Sequence, residues 1–288
     1  MNEQERPFVI SILGVGLMGG SLAMALRGFG ANRRALHIIG YDPVSAADAL
    51  ALRAIDEAAA TPEQAVQNAD VVFYCSSPNS ILRNMRDTFS YMKSGCVASD
   101  ICGVKTELLE FIENEMPRSL HYVGIHPMAG RENSGFINAS AELYMNAGFL
   151  LIPSRRAPET AVRLMRDICV HIGARRVLVN TAEEHDRIIG YTSDLMHIAA
   201  TALCEEYPPN MTMAHTAGAF RDCTRVAHID AELWTELLLL NGERVRPHLR
   251  RFIQSLESFE RALASEDAAA LRDLLSTAAA NKEAMQRL

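Results

Sequence analysis

The 288 residues include 35 acidic and 28 basic side chains, which gives a formal net charge of −7 at pH 7. This balance argues against a nucleic-acid partner or an anionic membrane surface, because no basic stripe is available to neutralise phosphates. No apolar run is long enough to span a membrane, and the six cysteines show neither zinc spacing nor a C-x-x-C pair. The opening segment, Met1 to Pro7, is polar and is not typical of a signal peptide. We therefore expect a cytoplasmic protein with free thiols and no metal site.

The first predicted unit is a strand, a glycine-rich turn, a helix and a second strand that ends in an acid. The strands are the apolar runs Phe8 to Leu13 and Leu36 to Tyr41, and the acid is Asp42. Between the strands stands a G-x-G-x-x-G, whose glycines are Gly14, Gly16 and Gly19. A glycine cluster alone also marks ordinary turns, but this order of elements is the context that a dinucleotide-binding fingerprint requires. The pattern therefore predicts a Rossmann-type nucleotide site.

Each part of this fingerprint predicts a contact with a dinucleotide. Gly14 permits the tight turn, Gly16 lets the backbone approach a pyrophosphate, and Gly19 lets helix and strand pack closely. The helix N-terminus offers free N–H groups to the phosphates. Asp42 accepts hydrogen bonds from the adenosine ribose and repels a 2′-phosphate, which favours NAD over NADP. The full set expected to bind NAD is Gly14, Gly16, Leu17, Met18, Gly19, Asp42, Ser76, Ser77 and Pro78.

Later apolar runs predict further strands, separated by segments with helical spacing. The strands are Val71 to Cys75, Cys96 to Ser99, His121 to Ile125, Gly148 to Ile152 and Arg175 to Val179. The helices are Val44 to Ala60, Ile81 to Tyr91, Val104 to Glu115 and Glu159 to Ile172. This alternation predicts an α/β fold with a Rossmann-type, doubly wound parallel sheet. From Thr181 onward the periodicity is helical, so we place a boundary near Asn180, with a dinucleotide-binding domain over 1–180 and an all-α domain over 181–288.

The residues that follow each strand are candidates for a site, because ligands of open α/β sheets bind beyond the carboxyl ends of the strands. Besides Ser76 to Pro78, these are Asp100 to Lys105 and His126 to Glu132. A histidine at the position of His126 can titrate near neutral pH within reach of a nicotinamide. The same side chain can instead bond the loop backbone in a structural role. The residue chemistry by itself leaves both interpretations open.

The loop from Gly124 to Gly135 resembles the signature G-x-H-P-[MI]-A-G-x-E-x-S-G of the prephenate/arogenate dehydrogenase family. Other family motifs have similar stretches in the same order. These are the glycine loop at Gly14 to Ser21, D-x-x-S-V-K at Asp100 to Lys105, E-x-H-D at Glu184 to Asp186, S-H-L-P-H at Ser193 to His197, and G-x-[FY]-[KR]-D-x-T-R at Gly218 to Arg225 with Trp234 downstream. The resemblance covers nearly the whole chain, and several ordered motifs are more specific than any one of them.

The resemblance implies an oxidoreductase of tyrosine biosynthesis. Family members convert prephenate to 4-hydroxyphenylpyruvate, or arogenate to tyrosine, while NAD(P) accepts a hydride and carbon dioxide leaves. By this resemblance the catalytic residues are His126, as the base for the substrate hydroxyl, and His197, which hydrogen-bonds the substrate. Arg225 binds a substrate carboxylate, for which a planar guanidinium is the best bidentate partner. The rest of the expected substrate-binding set is Ser99, Gly130 and Asp194.

The residues alone support less for His197 and for three others, namely His185, Asp186 and Trp234. His197 without the resemblance is a lone histidine on an apolar helix, which is more often a core residue than a ligand-binding one. We interpret His185 and Asp186 as structural residues that place their helix near the site. Trp234 is expected in the core or at a subunit interface, with no catalytic role.

The chain departs from the family motifs at two places. Gly103 stands where family members often have the Ser of D-x-x-S-V-K, so a hydroxyl that assists the catalytic histidine is missing, and we expect an altered rate or pH dependence. Asp194 and Met196 replace the His and Pro of S-H-L-P-H. Asp194 lies three residues before His197 on a helix. Its carboxylate can pair with that histidine, face solvent, or meet the ammonium group that arogenate carries and prephenate lacks.

The helical half is richer in apolar residues than one small layer against a Rossmann domain needs. The segments concerned are Leu233 to Leu240 and Phe252 to Leu263, with Asn241-Gly242 and Pro247 as interruptions. The family forms dimers through this region, and we expect a homodimer. Two competing interpretations are a hydroxyacid or imine reductase and a non-catalytic NAD-binding protein. The reductases use a lysine in the helical domain, and after Thr181 the sequence has only Lys282.

Overall fold

The computed structural model describes residues 6–30, 34–131 and 133–287. Glu132 of the signature loop lies outside the described residues, as does most of the opening segment Met1 to Pro7. Within the described ranges the chain has an α/β half followed by a helical half. No helix among these residues has both the length and the apolar character to cross a membrane.

Eight strands and twelve α-helices make up these two halves. The strands are β1 Phe8–Leu13, β2 Leu36–Tyr41, β3 Glu57–Ala58, β4 Val71–Tyr74, β5 Val97–Asp100, β6 His121–Pro127, β7 Gly148–Pro153 and β8 Arg176–Val179. The helices of the first half are α1 Leu17–Ala25, α2 Ala46–Ala51, α3 Pro62–Val66, α4 Pro78–Thr88, α5 Thr106–Glu115 and α6 Glu159–His171. Those of the second half are α7 Ala182–Ile189, α8 Leu195–Glu205, α9 Gly218–Thr224, α10 Ala231–Leu240, α11 Gly242–Ala264 and α12 Ala268–Met285.

The strands form one sheet in the order β3-β2-β1-β4-β5-β6-β7-β8. The first six are parallel in the Rossmann order, which confirms the doubly wound fold. Strand β7 is the exception to the parallel arrangement, because it pairs antiparallel with β6 through Gly124 and Ile152. A parallel partner needs a crossover connection, usually a helix, and among its described residues the connection between β6 and β7 contains only a 3-10 turn at Phe136–Asn138. Strand β8 follows helix α6 and is again parallel to β7.

Side chains of the sheet pack into an apolar core on each face. Along β1, Phe8, Ile10 and Ile12 belong to one core cluster, whereas Val9 and Leu13 belong to the other. This alternation follows from the two-residue period of a strand. Both faces are therefore covered by helices, as parallel sheets require.

Two helix predictions need correction. The stretch from Val44 to Ala60 is not one helix, because α2 ends at Ala51 and the short strand β3 follows. Arg53 between them has φ 57°, in the left-handed region that stops a helix. Pro247 does not interrupt the helical half, since α11 continues through it. A proline lacks one backbone N–H, so α11 loses one intrahelical hydrogen bond at Pro247 and continues beyond it.

The helical half begins with a capped helix. The Thr181 side chain accepts from the backbone N–H of Glu184, and the Glu184 carboxylate accepts from the backbone N–H of Thr181. This capping box satisfies two donors at the start of α7. The next turn, Gly190–Asp194, is a π-helical turn, a feature frequent at functional sites. The predicted boundary at Asn180 falls between β8 and α7 and stays a prediction.

Candidate active site

The glycine loop between β1 and α1 has the geometry that its fingerprint predicts. Gly14 has φ +95°, and a Cβ there would stand 2.6 Å from the carbonyl oxygen of Cys75. A Cβ on Gly19 would lie 1.9 Å from the carbonyl oxygen of Gly14, so helix and loop approach too closely for any side chain. At Gly16 a Cβ would meet nothing within 4 Å among the described residues. Gly14 and Gly19 are therefore needed for close packing, whereas Gly16 leaves open space at the start of α1.

Asp42 holds the glycine loop to the end of β2. Its Oδ2 accepts from the backbone N–H of Val15 at 2.9 Å, and its Oδ1 accepts from the N–H groups of Val44 and Ser45, both at 2.9 Å. A carboxylate oxygen can accept two hydrogen bonds, so Oδ2 retains one acceptor position. The acid is thus rigidly placed beside the loop and can still accept from a ribose hydroxyl.

The other expected cofactor residues lie at the same edge of the sheet. Leu17 and Met18 form the first turn of α1, and the Tyr144 hydroxyl donates to the Met18 carbonyl at 2.7 Å. Ser76 follows β4, Ser77 is the N-cap residue of α4, and Pro78 is its first residue. The Ser77 hydroxyl bonds the Ser80 hydroxyl at 3.2 Å.

His126 lies at the carboxyl end of β6 and contacts the helical half directly. Its Nδ1 is 2.8 Å from Nε2 of His185 on α7. Nδ1 of His185 is in turn 2.7 Å from Oδ1 of Asp186. The Asp186 carboxylate also accepts the backbone N–H groups of Lys105 and Thr106, at 2.9 and 2.8 Å. The interpretation of His185 and Asp186 as merely structural missed this chain of contacts.

A fully buried ion pair lies beneath His126. Lys105 Nζ is 2.5 Å from Oδ1 of Asp100 and donates to the carbonyl oxygen of Ile125 at 2.8 Å. The Tyr122 hydroxyl donates to the other oxygen of Asp100. Breaking a buried pair of this kind leaves an uncompensated charge, which costs several kcal/mol. The sequence signal for this pair was present in the D-x-x-S-V-K motif, which supplies both Asp100 and Lys105.

Burial is the main reason why both histidines have lowered pKa values. The pKa of His126 lies well below its ordinary value because burial disfavours the imidazolium, and because a positive charge on His126 would be repelled by Lys105 and by any positive charge on His185. Burial also lowers the pKa of His185, although its hydrogen bond to Asp186 opposes this. For Asp186, burial raises the pKa, but the hydrogen bonds from His185 and Thr106 outweigh it and leave the pKa lowered.

His197 and Arg225 come together in the helical half. The ring of His197 stacks on the indole of Trp234, with centroids 3.6 Å apart and planes inclined by 27°. Its Nδ1 bonds the carbonyl oxygen of Ser193 at 2.9 Å, which leaves Nε2 for a ligand. The pKa of His197 is lowered by burial and by the nearby charge of Arg225. Arg225 is exposed, in the 3-10 turn that follows α9.

Helix α10 connects the two histidines. A Cβ on Gly103 would lie 3.7 Å from Leu237 of this helix and 3.8 Å from both Cε1 and Nε2 of His126. Trp234, whose indole stacks on the ring of His197, lies three residues before Leu237 and therefore on the same face of α10. Three helical residues rise by about 4.5 Å, so the residue of α10 that contacts His197 and the one beside Gly103 lie close together along this helix.

Two expected substrate contacts are not at this site. Asp194 is buried and its Oδ2 accepts from Asn241 Nδ2 at 2.7 Å, so it meets neither His197 nor solvent. Ser99 lies inside the central strand β5 with no exposed surface, because both faces of this sheet are covered. The structure thus gives neither side chain the exposed surface that a substrate contact would use, and both assignments stay predictions. Gly130 is exposed on the loop after β6.

The sequence predicted no contact for Asn241, which was interpreted only as an interruption between two helical segments. Its amide is fully buried and donates both to Asp194 and to the carbonyl oxygen of Asp186, the latter at 3.0 Å. Desolvation by burial raises the pKa of Asp194 to about 6, although the bond from Asn241 lowers it. A single amide thus connects the buried acid to the helix that contacts His126.

No group of three or more histidine, cysteine, aspartate or glutamate side chains within the described part of the chain has the arrangement of a metal site. The six cysteines are free thiols. The only lysine of the helical half, Lys282, lies in the last turn of α12. Lys282 is therefore on a different helix from Trp234, the residue that contacts His197.

Comparison with known proteins gives matches over both halves. Residues 22–178 match the family model described as prephenate dehydrogenase, nucleotide-binding domain. Residues 181–277 match the model described as prephenate dehydrogenase, dimerization domain. The cyclohexadienyl dehydrogenase of Zymomonas mobilis is 30% identical over 266 residues, which cover 90% of this chain and 89% of that protein. The prephenate dehydrogenase of Bacillus subtilis is 28% identical over 279 residues, covering 93% and 74%.

Solved structures resemble the chain over nearly its whole length. The prephenate dehydrogenase of Aquifex aeolicus, in complex with hydroxyphenyl propionate and NAD+, superposes with a TM-score of 0.84 and 27% identity, covering 96% of this chain and 98% of that one. The arogenate dehydrogenase of Synechocystis has a TM-score of 0.78 at 23% identity, covering 96% and 100%, and shows the fold alone.

Proposed function

The chain belongs to the prephenate dehydrogenase family, and we propose that it converts prephenate to 4-hydroxyphenylpyruvate and carbon dioxide with NAD as hydride acceptor. The observation that carries this proposal is the position of His126. Its Nε2 is directed toward Gly103 at the carboxyl end of the sheet, where a parallel α/β fold binds its ligands. His197 stacks on Trp234 of α10, the helix whose Leu237 lies beside Gly103, and Arg225 is close enough to His197 to lower its pKa.

The residues of the glycine loop fit NAD. The open space at Gly16 and the first N–H groups of α1 suit a pyrophosphate. Asp42 keeps an acceptor for a ribose hydroxyl, and its negative charge opposes a 2′-phosphate. When bound, NAD accepts the hydride from the ring carbon that bears the substrate hydroxyl.

His126 provides the base that the oxidation needs. As the hydride leaves the ring carbon, the hydroxyl oxygen becomes electron-poor, and a neutral imidazole can take its proton. The lowered pKa of His126 keeps this base unprotonated near pH 7. Loss of carbon dioxide then makes the ring aromatic, and the proton returns from His126 to the phenolic oxygen of the product. The overall reaction therefore releases no net proton from the substrate.

Arg225 and His197 bind the substrate. A guanidinium holds one of the two substrate carboxylates by paired hydrogen bonds, and Nε2 of His197 contacts the substrate side chain. Aromatisation supplies the driving force, so orientation by these groups matters more than strong acid–base chemistry. Asp194 is buried against Asn241, so its carboxylate is not placed to pair with the ammonium group that arogenate carries and prephenate lacks.

The test is NADH formation by the purified protein, followed by absorbance, with prephenate or arogenate and with NAD or NADP. We expect turnover with prephenate and NAD. A clear preference for arogenate would support the proposed reaction type and refute the assignment of prephenate as the substrate. Binding of NAD without turnover of either substrate would instead support the non-catalytic interpretation and overturn the proposed function.

We also propose that the chain forms a homodimer through its helical half. Ile253, Leu256 and Leu263 are exposed along one face of α11, and Leu275 is exposed on α12. Such a face is typical of an interface. Light scattering should give about twice the monomer mass of 31.7 kDa. Leu256→Glu should shift the protein toward monomer, whereas Leu52→Glu, at an exposed leucine of the first half, should not; a monomeric parent protein would refute the proposal.

A further inference from the structure

We propose that His185 and Asp186 are positioning residues, which hold His126 in the tautomer with its proton on Nδ1 and its lone pair on Nε2. This inference rests on the proposed function of His126 as the base. It assigns to α7 a part in the chemistry, beyond the placement of a helix. The chain of contacts runs from His126 in the first half, through His185, to Asp186 in the second.

The hydrogen-bond pattern allows one arrangement of protons when both imidazoles are neutral. Asp186 is an acceptor, so His185 must donate to it from Nδ1. A neutral histidine with a proton on Nδ1 has a lone pair on Nε2. The contact of 2.8 Å between Nε2 of His185 and Nδ1 of His126 then requires that His126 donates. The lone pair of His126 is left on Nε2, the nitrogen nearest Gly103.

Asp186 is firmly held as the acceptor that starts this sequence. Its two oxygens accept the backbone N–H groups of Lys105 and Thr106, at the N-terminus of α5. The positive end of that helix dipole favours the ionised carboxylate. Both His185 and Asp186 are fully buried, so water does not compete for these hydrogen bonds. The orientation of His126 is therefore fixed by an element of each half of the chain.

The arrangement also suits the change of charge on His126 during the reaction. When Nε2 takes a proton, the bond from Nδ1–H to His185 becomes a charge-assisted hydrogen bond, which stabilises the imidazolium. The buried Lys105 ammonium acts in the opposite direction. The charged groups of the described residues around this chain are Lys105, Asp100 and Asp186. Together they permit brief protonation of His126 and favour return of the proton.

Two substitutions at His185 separate positioning from packing. His185→Gln keeps an oxygen that can accept from Nδ1–H of His126, whereas His185→Leu removes the acceptor. We expect the Leu variant to lose about 10- to 100-fold in kcat, a part of what a general base contributes. The KM for prephenate and the Kd for NAD should change less than about threefold, and the Gln variant should recover most of the lost kcat. His171→Leu, on the exposed end of α6, is the matched control and should leave kcat unchanged.

Nitrogen-15 NMR of the histidine rings tests the tautomer without any turnover. The His126 signals, assigned by their loss in His126→Asn, should show a proton on Nδ1 in the parent protein and a mixture of tautomers in His185→Leu. A parent protein with its proton on Nε2 of His126 overturns the inference, as do equal losses of kcat in the Gln and Leu variants. Absence of turnover in the parent protein refutes the proposed function, while the NMR result still decides the tautomer.

Discussion

The two halves of the chain differ in how much apolar surface they bury by themselves. In the first half, every residue of β1, β4 and β5 is buried. In the second half, α10 and α12 have no buried residue within the described chain, and the 23-residue α11 has only Val245 and Ala262. The first half thus contains the buried core of the chain, whereas the second half leaves apolar side chains of α11 and α12 exposed.

The same contrast separates the roles of the halves in the site. In the proposed mechanism the first half supplies the cofactor loop and the base, His126, at the end of strand β6. The second half supplies Arg225 and His197 to bind the substrate, and His185 to orient the base. The proposal therefore places the chemistry on the half with the buried core and substrate recognition on the more exposed half. Four substitutions test this division, in order of decreasing expected effect.

His126→Asn should abolish most of the chemistry and spare the cofactor half. Removing a general base costs about 10²- to 10⁴-fold in kcat. The amide of the variant can still donate to His185, so the local structure should persist. Steady-state kinetics measure the loss, and calorimetry should show an unchanged Kd for NAD. His171→Asn is the control, and retention of more than a tenth of the activity would contradict the role of His126.

Asp194→Asn should stabilise the helical half above about pH 6. Burial raises the pKa of Asp194 from 3.8 to about 6, so the folded state binds the proton more tightly than the unfolded state. Stability is therefore lost as pH rises through this window, by up to about 3 kcal/mol in the free energy of unfolding.

The Asn variant has no such charge to bury and should not show this loss. Urea unfolding at several pH values measures the difference, which should be small below about pH 4 and largest above about pH 6. Asp167→Asn, at an exposed position of α6, is the matched control. An Asn variant that is less stable than the parent at pH 7.5 would contradict the prediction.

Arg225→Lys should weaken substrate binding and leave the cofactor half unaffected. The substitution keeps the positive charge but loses the planar fork that binds a carboxylate through two hydrogen bonds. We expect KM for prephenate to rise about 10- to 100-fold, as for the loss of a charge-assisted hydrogen bond. Steady-state kinetics with saturating NAD measure this. An unchanged KM would remove Arg225 from the substrate site.

Gly103→Ser should have the smallest effect, because it adds a hydroxyl beside a base that already works. A Cβ at this position makes ordinary contacts of 3.7 and 3.8 Å, so the side chain fits without displacing Leu237 or His126. We expect kcat to rise about two- to tenfold, as for one added hydrogen bond. Gly103→Ala adds the Cβ without the hydroxyl and should match the parent protein. An equal change in both variants would exclude a role for the hydroxyl.

Features that depend on neighbours along the chain could be predicted without the structure. The glycine loop, every strand of the sheet except the two-residue β3, and the helical second half follow from turn chemistry and hydrophobic period, and the structure confirms them. The motifs also directed attention to His126 and Arg225, whose roles stay predictions. These features are readable because each is encoded within a few residues.

Contacts between side chains that are distant in the sequence depend on tertiary packing. His126 and His185 are 59 positions apart, and Asp194 and Asn241 are 47 apart. Helical spacing placed Asp194 near His197, but packing of α11 against the π-helical turn buried it on Asn241 instead. The reversed direction of β7 likewise follows from the missing crossover helix. Such contacts depend on how finished elements pack together, and local periodicity carries no information about that choice of partners.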